Sequence, residues 1–284
     1  MAAVTAQMVK DLRERTGLGM MDCKKALVES AGDAELAIEN LRKSSGLKAA
    51  KKAGRTAAEG VIRQKISEDG RFGVLVEVNC ETDFAARDAN FTNFADVVLN
   101  RVYESKETDM ARLLEGGLEK IREELVQKIG ENVSVRRAAV MEGGAAAYIH
   151  TNDKIGVLLG ISGGDMELGR DIAMHIAATH PLVVRPEDAP QDLVAQEREI
   201  YAAQAADSGK PPQIVEKMID GRVRKFLADI SLLEQPFVKD PDVKISALLK
   251  KAGATITSFV RYEVGEGIEK EVGDFAAEVA KQLS

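Results

Sequence analysis

The feature that most constrains the fold is an internal repeat. Adding 83 to each residue number lays Arg71-Phe72-Gly73-Val74-Leu75-Val76 over Lys154-Ile155-Gly156-Val157-Leu158-Leu159, and Arg87-Asp88 over Arg170-Asp171. The register therefore holds through a run of apolar residues, a loop and the start of the next element. Each copy has an earlier short strand, Gly60 to Ile66 and Ala146 to Thr151, that completes a hairpin. Each also has a later one, Asn132 to Val140 and Thr255 to Val264. Two strands, a helix and a returning strand, used twice, predict an α+β fold of two related subdomains, each a small antiparallel sheet with helices packed on it.

The first copy centres on Arg71 to Phe94. Val74 to Val78 is apolar apart from Glu77 and reads as a buried strand. Thr82-Asp83 and Asp88 can both accept hydrogen bonds from free helix N–H groups, so a helix is predicted to start here. Phe91, Phe94, Val98 and Val102 then form one helical face. The segment is strand, tip, helix, with Asp83-Phe84 at the tip. Two readings of Phe84 stand side by side. An unbroken helix places it seven residues before Phe91 on the buried stripe. Alternatively it projects as an aromatic anchor for a partner, with Asp83 beside it. At the repeat shift Asp83-Phe84 faces Met166-Glu167, so the second copy has no aromatic there.

The 284 residues suffice for two or three domains, and no apolar window is long enough to span a membrane. The N-terminus has neither the apolar core of a signal peptide nor the composition of a transit peptide. Cys23 and Cys80 fit no pairing motif, which suits a reducing, cytoplasmic setting. A net charge of −7 argues against a dedicated nucleic-acid binder. Residues 1–54 read as a three-helix docking module and a basic linker. Thr5 and Asp33 are caps, Gly17 is a break, and Met21, Ala26 and Leu27 are inner positions of the second helix. Residues 55–140 form the first core subdomain, with a helix bearing Leu118, Ile121, Leu125 and Ile129 closed at Gly130. Residues 141–266 form the second, carrying a helical hairpin over about 181–230 turned at Ser208-Gly209-Lys210-Pro211-Pro212. Residues 267–284 are a C-terminal helix with Phe275, Val279 and Leu283 on one face.

The sequence carries no phosphate loop, no dinucleotide fingerprint, no HExxH and no CxxC pair. His175 and His180 precede a proline at a helix end and read as structural. His150 sits at a strand end beside a turn. No nucleophile is visibly paired with a base. No enzymatic chemistry, cofactor or metal site is expected of the chain itself.

Several longer runs resemble one family. They are Val9 to Gly17, Gly19 to Leu27, Val78 to Phe84, His175 to Ala178, Gly209-Lys210-Pro211 and Arg261 to Gly267. In order and over essentially the whole chain these are similar to the elongation factor Ts family. The resemblance implies a guanine nucleotide exchange factor that binds the GTPase elongation factor Tu, both GDP-bound and nucleotide-free. It implies a ubiquitin-associated-like N-terminal module that docks on the GTPase domain, with Met20 as a contact. It further implies that a tip made of Thr82, Asp83, Phe84 and Ala85 disturbs the partner's magnesium and phosphate site. His150 would meet another domain of the partner, the C-terminal helix would add a contact, and the hairpin is associated with subunit contacts, in a homodimer or a 2:2 complex. Ala85 departs from the family, which commonly has valine there; the change removes an apolar contact and leaves the Asp-Phe pair intact.

Overall fold

The computed structural model describes residues 4–150, 152–205 and 211–269. The expected C-terminal helix, and residues 208–210 of the expected hairpin turn, lie outside them. The chain begins with α1 (Ala6–Thr16), α2 (Met20–Glu29) and α3 (Ala34–Lys52). It continues through β1 (Glu59–Ile66), β2 (Phe72–Cys80), α4 (Asp83–Ala86), α5 (Ala89–Ser105), α6 (Met110–Leu114), α7 (Leu118–Ile129) and β3 (Val133–Glu142). The second copy supplies β4 (Ala145–Ile149), β5 (Ile155–Ser162), α8 (Met166–Thr179), α9 (Gln191–Ala205), α10 (Pro212–Ile230), β6 (Pro236–Phe237), β7 (Asp240–Lys244), α11 (Ile245–Ala252) and β8 (Thr255–Glu263). The fold is α+β, and the repeat appears in its topology. One three-stranded sheet has the order β1-β2-β3 and the other β4-β5-β8, so the second strand of each copy lies in the middle. Strands β4 and β5 pair antiparallel, with Tyr148 opposite Val157.

The described residues fall into two compact units, one of residues 4–63, 76–138 and 263–269, the other of 64–75 and 139–262. In the first, α1 to α3 enclose a small core of Val9, Leu12, Leu18, Cys23, Ala26, Leu27, Ala37 and Leu41. The Thr5 hydroxyl accepts from Met8 N–H and the Asp33 carboxylate accepts from Glu35 and Leu36 N–H, so both expected caps form. Gly17 ends α1 at a positive φ, as a residue without a Cβ does most readily. Three expectations are corrected. Residues 42–52 are not a solvated linker but the continuation of α3, which lies against α7. Its leucine, alanines and lysines are good helix formers, and the packing surface stabilises what composition alone leaves open. Met21 is exposed, and Cys23 takes the inner position assigned to it. On α7, Ile121 is exposed while Val126 is buried beside Leu125, a stripe turned by about one residue.

The strand β2 is buried along most of its length, including Glu77. The carboxylate of Glu77 meets the Arg136 guanidinium at 3.0 Å and that of Arg137 at 2.6 Å. It also accepts from Gly265 N–H at 3.0 Å and Asn79 Nδ2 at 3.1 Å. Gly265 passes so close to the Ala58 carbonyl that an added Cβ would lie 2.3 Å from that oxygen, at a φ of +76°. Only glycine fits there.

In the second unit α8 covers β4 and β5, and Val157, Leu159, Ile172, Ala173, Ile176 and Ile256 are buried together. The α9–α10 pair is the expected antiparallel hairpin, closed by Val194, Tyr201, Ala205, Val215, Ile219, Val223 and Leu227. The spacing of Leu193, Glu197, Ile200 and Tyr201 suggests one face of the first hairpin helix, but Ile200 is exposed.

His175 is fully buried on α8, and its structural reading holds. Its Nε2 lies 2.9 Å from Gln235 Oε1, and Val238 N–H donates to Nδ1 at 3.3 Å. That pairing requires a neutral ring with its proton on Nε2. Burial holds its pKa below the ordinary histidine value, while the Gln235 bond opposes this. The unfolded chain therefore takes up a proton first as the pH falls. The histidine's contribution to stability is present above an unfolded pKa of about 6.5 and is lost below it. The melting temperature is expected to fall between pH 7.5 and 5, and to fall less steeply in His175→Gln. Parallel slopes in a pair of thermal-melt series would contradict this.

Candidate functional site

At the end of β2 the chain turns through Glu81 into Thr82, whose backbone is extended at φ −124°, ψ 157°. The Thr82 hydroxyl accepts from Ala85 N–H at 3.2 Å and starts α4, a helix of four residues. It ends at Arg87, and Asp88 immediately starts α5 by accepting from Asn90 N–H at 2.8 Å. The sequence thus carries two caps six residues apart and the fold uses both. Burial on its own raises the Asp88 pKa. Hydrogen bonds from the Asn90 side chain and from Asn90 and Phe91 N–H, with the Lys128 charge, bring it below the ordinary carboxylate value.

This break bears on the core reading of Phe84. Phe91, Phe94, Val98 and Val102 form the buried face of α5 as expected. Phe84 belongs to a different helix, off that stripe, and is 81% exposed. The core reading is therefore wrong: its periodicity ran through a gap at Arg87–Asp88. Asp83 beside it pairs with Arg87 at 2.9 Å on the surface. Ala85 and Ala86 point inward and are buried. One turn thus divides its residues, Asp83 and Phe84 outward, Ala85 and Ala86 into the fold.

The second copy confirms how local this device is. At the repeat shift Thr82 lies over Asp165, and Asp165 caps α8 by accepting from Leu168 N–H at 2.8 Å. There the helix runs unbroken to Thr179, and Asp171, the counterpart of Asp88, lies within it.

Of the other expected contacts, Met20 is the first residue of α2 and 55% exposed, with exposed Met21 next to it. His150 is exposed after β4 in the second unit, its Nδ1 3.3 Å from Tyr148 Oη. Thr82 to Ala85 form one contiguous feature. Sequence reasoning missed the residues that hold it: the Glu131 carboxylate accepts from both Thr82 N–H and the Thr82 hydroxyl. Nothing in periodicity signals a bond spanning 49 positions.

Residues 81–266 match the family model described as Elongation factor TS. The chain belongs to the elongation factor Ts family. The elongation factor Ts of Hahella chejuensis is 61% identical over 284 residues, covering 100% of this chain and 99% of the relative. That of Marinobacter nauticus is 60% identical, covering 99% and 97%, and that of Yersinia pestis 53%, covering 99% and 98%. The matched span opens at Glu81, one residue before the Thr82 cap, and closes at Glu266, beside the Gly265 that meets Glu77. Among the described residues no helix is long and apolar enough to cross a membrane.

Proposed function

We propose that the chain is a guanine nucleotide exchange factor of protein synthesis that acts on the GTPase elongation factor Tu, and that Asp83 and Phe84 are its working tip. Family membership supports the partner and the role. The observation that carries the tip is the exposure of a large aromatic side chain on a separately capped turn. Aromatic side chains are the residues that most often carry the energy of an interface once a partner buries them.

An exchange factor has no covalent step of its own and needs no phosphate loop. It must bind the empty GTPase more tightly than the GDP-loaded one. Linkage makes this mutual: whatever factor the chain takes from GDP affinity, GDP takes from the chain's affinity. The GTPase holds its nucleotide largely through magnesium and the phosphates, so displacing that ion's surroundings is an effective point of attack. In this reading Phe84 enters the GTPase near that site and shifts the elements holding the metal. Asp83, tethered to Arg87, keeps the turn's outward face oriented. Met20 and His150 add contacts that hold the pair together. The protein works in the cytoplasm, where translation proceeds.

The test is stopped-flow release of fluorescent GDP from elongation factor Tu. Saturating wild-type protein is expected to accelerate release and, in an equilibrium titration, to weaken GDP affinity by about 10²-fold, the upper part of the usual range of coupling between two ligands. GDP should weaken binding of the chain by the same factor in a titration. Unaltered release at saturation would end the proposal.

A further inference from the structure

A helix of four residues cannot hold itself together, because the first turn fixes several dihedrals for one hydrogen bond. Something outside α4 must keep the tip in place, and the loop between α7 and β3 does so. Glu131 Oε2 accepts from Thr82 N–H at 3.0 Å, and its Oε1 accepts from the Thr82 hydroxyl at 2.7 Å. The second bond matters for a specific reason. A threonine hydroxyl has one hydrogen and two lone pairs and rotates freely unless its hydrogen is committed. With that hydrogen on Glu131, the oxygen is left facing Ala85 N–H, the bond that starts α4.

The grip is reciprocal. Glu81, the residue before Thr82, accepts from Asn132 N–H at 2.6 Å, while Glu131, the residue before Asn132, accepts from Thr82 N–H. Asn132 also donates through Nδ2 to the Arg55 carbonyl at 2.8 Å, and Lys52 Nζ donates to the Gly130 carbonyl. Residues 130–132 thus fasten both the tip and the chain just beyond α3.

We propose that Glu131 is the positioning residue of the tip: it fixes the Thr82 hydroxyl and so presets the direction in which Phe84 projects. This rests on the reading of Asp83-Phe84 as the acting element. Glu131 itself need not touch the partner; charge-assisted bonds to the cap keep the turn from rocking before the GTPase arrives.

Two experiments on the full-length chain separate the inference from the reading beneath it. The sequence contains no tryptophan, so Phe84→Trp places a single reporter on the tip. In that background Glu131→Ala is expected to add a fast, large-amplitude component to the time-resolved anisotropy decay. Glu131→Gln, which keeps one acceptor for Thr82 N–H, should add a smaller one. Identical decays in all three proteins would overturn the proposal without reference to any partner.

In GDP release, Glu131→Ala with native Phe84 is expected to lower the maximal rate about tenfold, the scale on which a small misplacement slows a preorganised process. The half-saturating concentration should stay within about threefold and the melting curve should remain cooperative; Glu131→Gln should recover most of the rate. A folded Glu131→Ala protein as fast as wild type, beside an inactive Phe84→Ala, would remove the clamp and leave the tip standing. A fully active Phe84→Ala would remove the tip and the clamp's function with it. If Glu131→Ala does not fold, Glu131→Gln carries the test through the anisotropy decay, where it is expected to add a component absent from the Phe84→Trp parent; a decay identical to the parent's would count against the proposal.

Discussion

Phe84→Ala is expected to reduce the acceleration of GDP release by about 30-fold or more while leaving the protein's own stability almost unchanged. The two halves of that statement come from one number. At 81% exposure Phe84 contributes little to the folded chain, and surface substitutions of this kind usually stay within about 0.5 kcal/mol. A buried aromatic anchor at an interface costs about 2 kcal/mol or more when truncated, and every 1.4 kcal/mol is tenfold. The loss should therefore appear in stopped-flow release and be absent from the thermal melt. Asp83→Ala should do less, because it removes a small carboxylate already paired with Arg87 at 2.9 Å and not the large apolar surface of an aromatic anchor; its effect on stability should be small as well. A Phe84→Ala protein that exchanges like wild type would show that the exposed ring is not what the GTPase feels. A mutant that loses activity and melts early would return Phe84 to a packing role, against its position here.

Glu77→Ala is expected to be the most destabilising single change considered, at about 3–5 kcal/mol. Glu77 has no exposed surface, and two guanidiniums, one backbone N–H and one side-chain amide all end on its two oxygens. Truncating one partner of a buried ion pair costs on this scale, because the opposite charges stay behind with nothing to answer them. Arg137 would keep the Glu263 carbonyl at 3.1 Å and the Glu266 carboxylate at 3.3 Å, and Arg136 the Glu266 carbonyl, but both guanidiniums would lose the carboxylate on which their buried sides meet. Glu77→Gln keeps the shape and one acceptor and should cost less, about 1–3 kcal/mol. Urea unfolding tests this: the midpoint should drop with an unchanged slope. A loss under about 1 kcal/mol for Glu77→Ala would mean that the arginines find other partners at little cost.

Local signals in the sequence were readable where one residue type can satisfy one local need. Thr5, Asp33 and Asp88 cap the helices expected of them, Gly17 and Gly130 close theirs, and the Phe91–Val102 stripe is buried. The repeat exposed the topology, because the central strand and the start of the following region match at a shift of 83 residues, while the returning strand, pushed further along by the longer second copy, still leaves its own pattern. Reading failed where the outcome depends on what lies opposite. The basic stretch 42–52 is helical because α7 offers α3 a surface, and no property of those residues announces that neighbour. Phe84 was ambiguous because two good caps stood close together, Thr82 and Asp88, and periodicity cannot tell whether a chain uses one or both. The Glu131 grip on Thr82 was unreadable for a further reason: it joins two loops, and loops have no period.

The separately capped turn also bears on how such a protein can change. In the second copy the helix begins at Asp165 and continues without interruption, so a substitution in its first turn is transmitted along a single rigid rod. In the first copy the gap at Arg87–Asp88 uncouples the turn from the rod behind it. Asp83 and Phe84, on the outward side of that turn, can therefore be substituted with no need to redesign the interior. The interruption leaves two residues of a packed scaffold open to change while the rod behind them stays as it is.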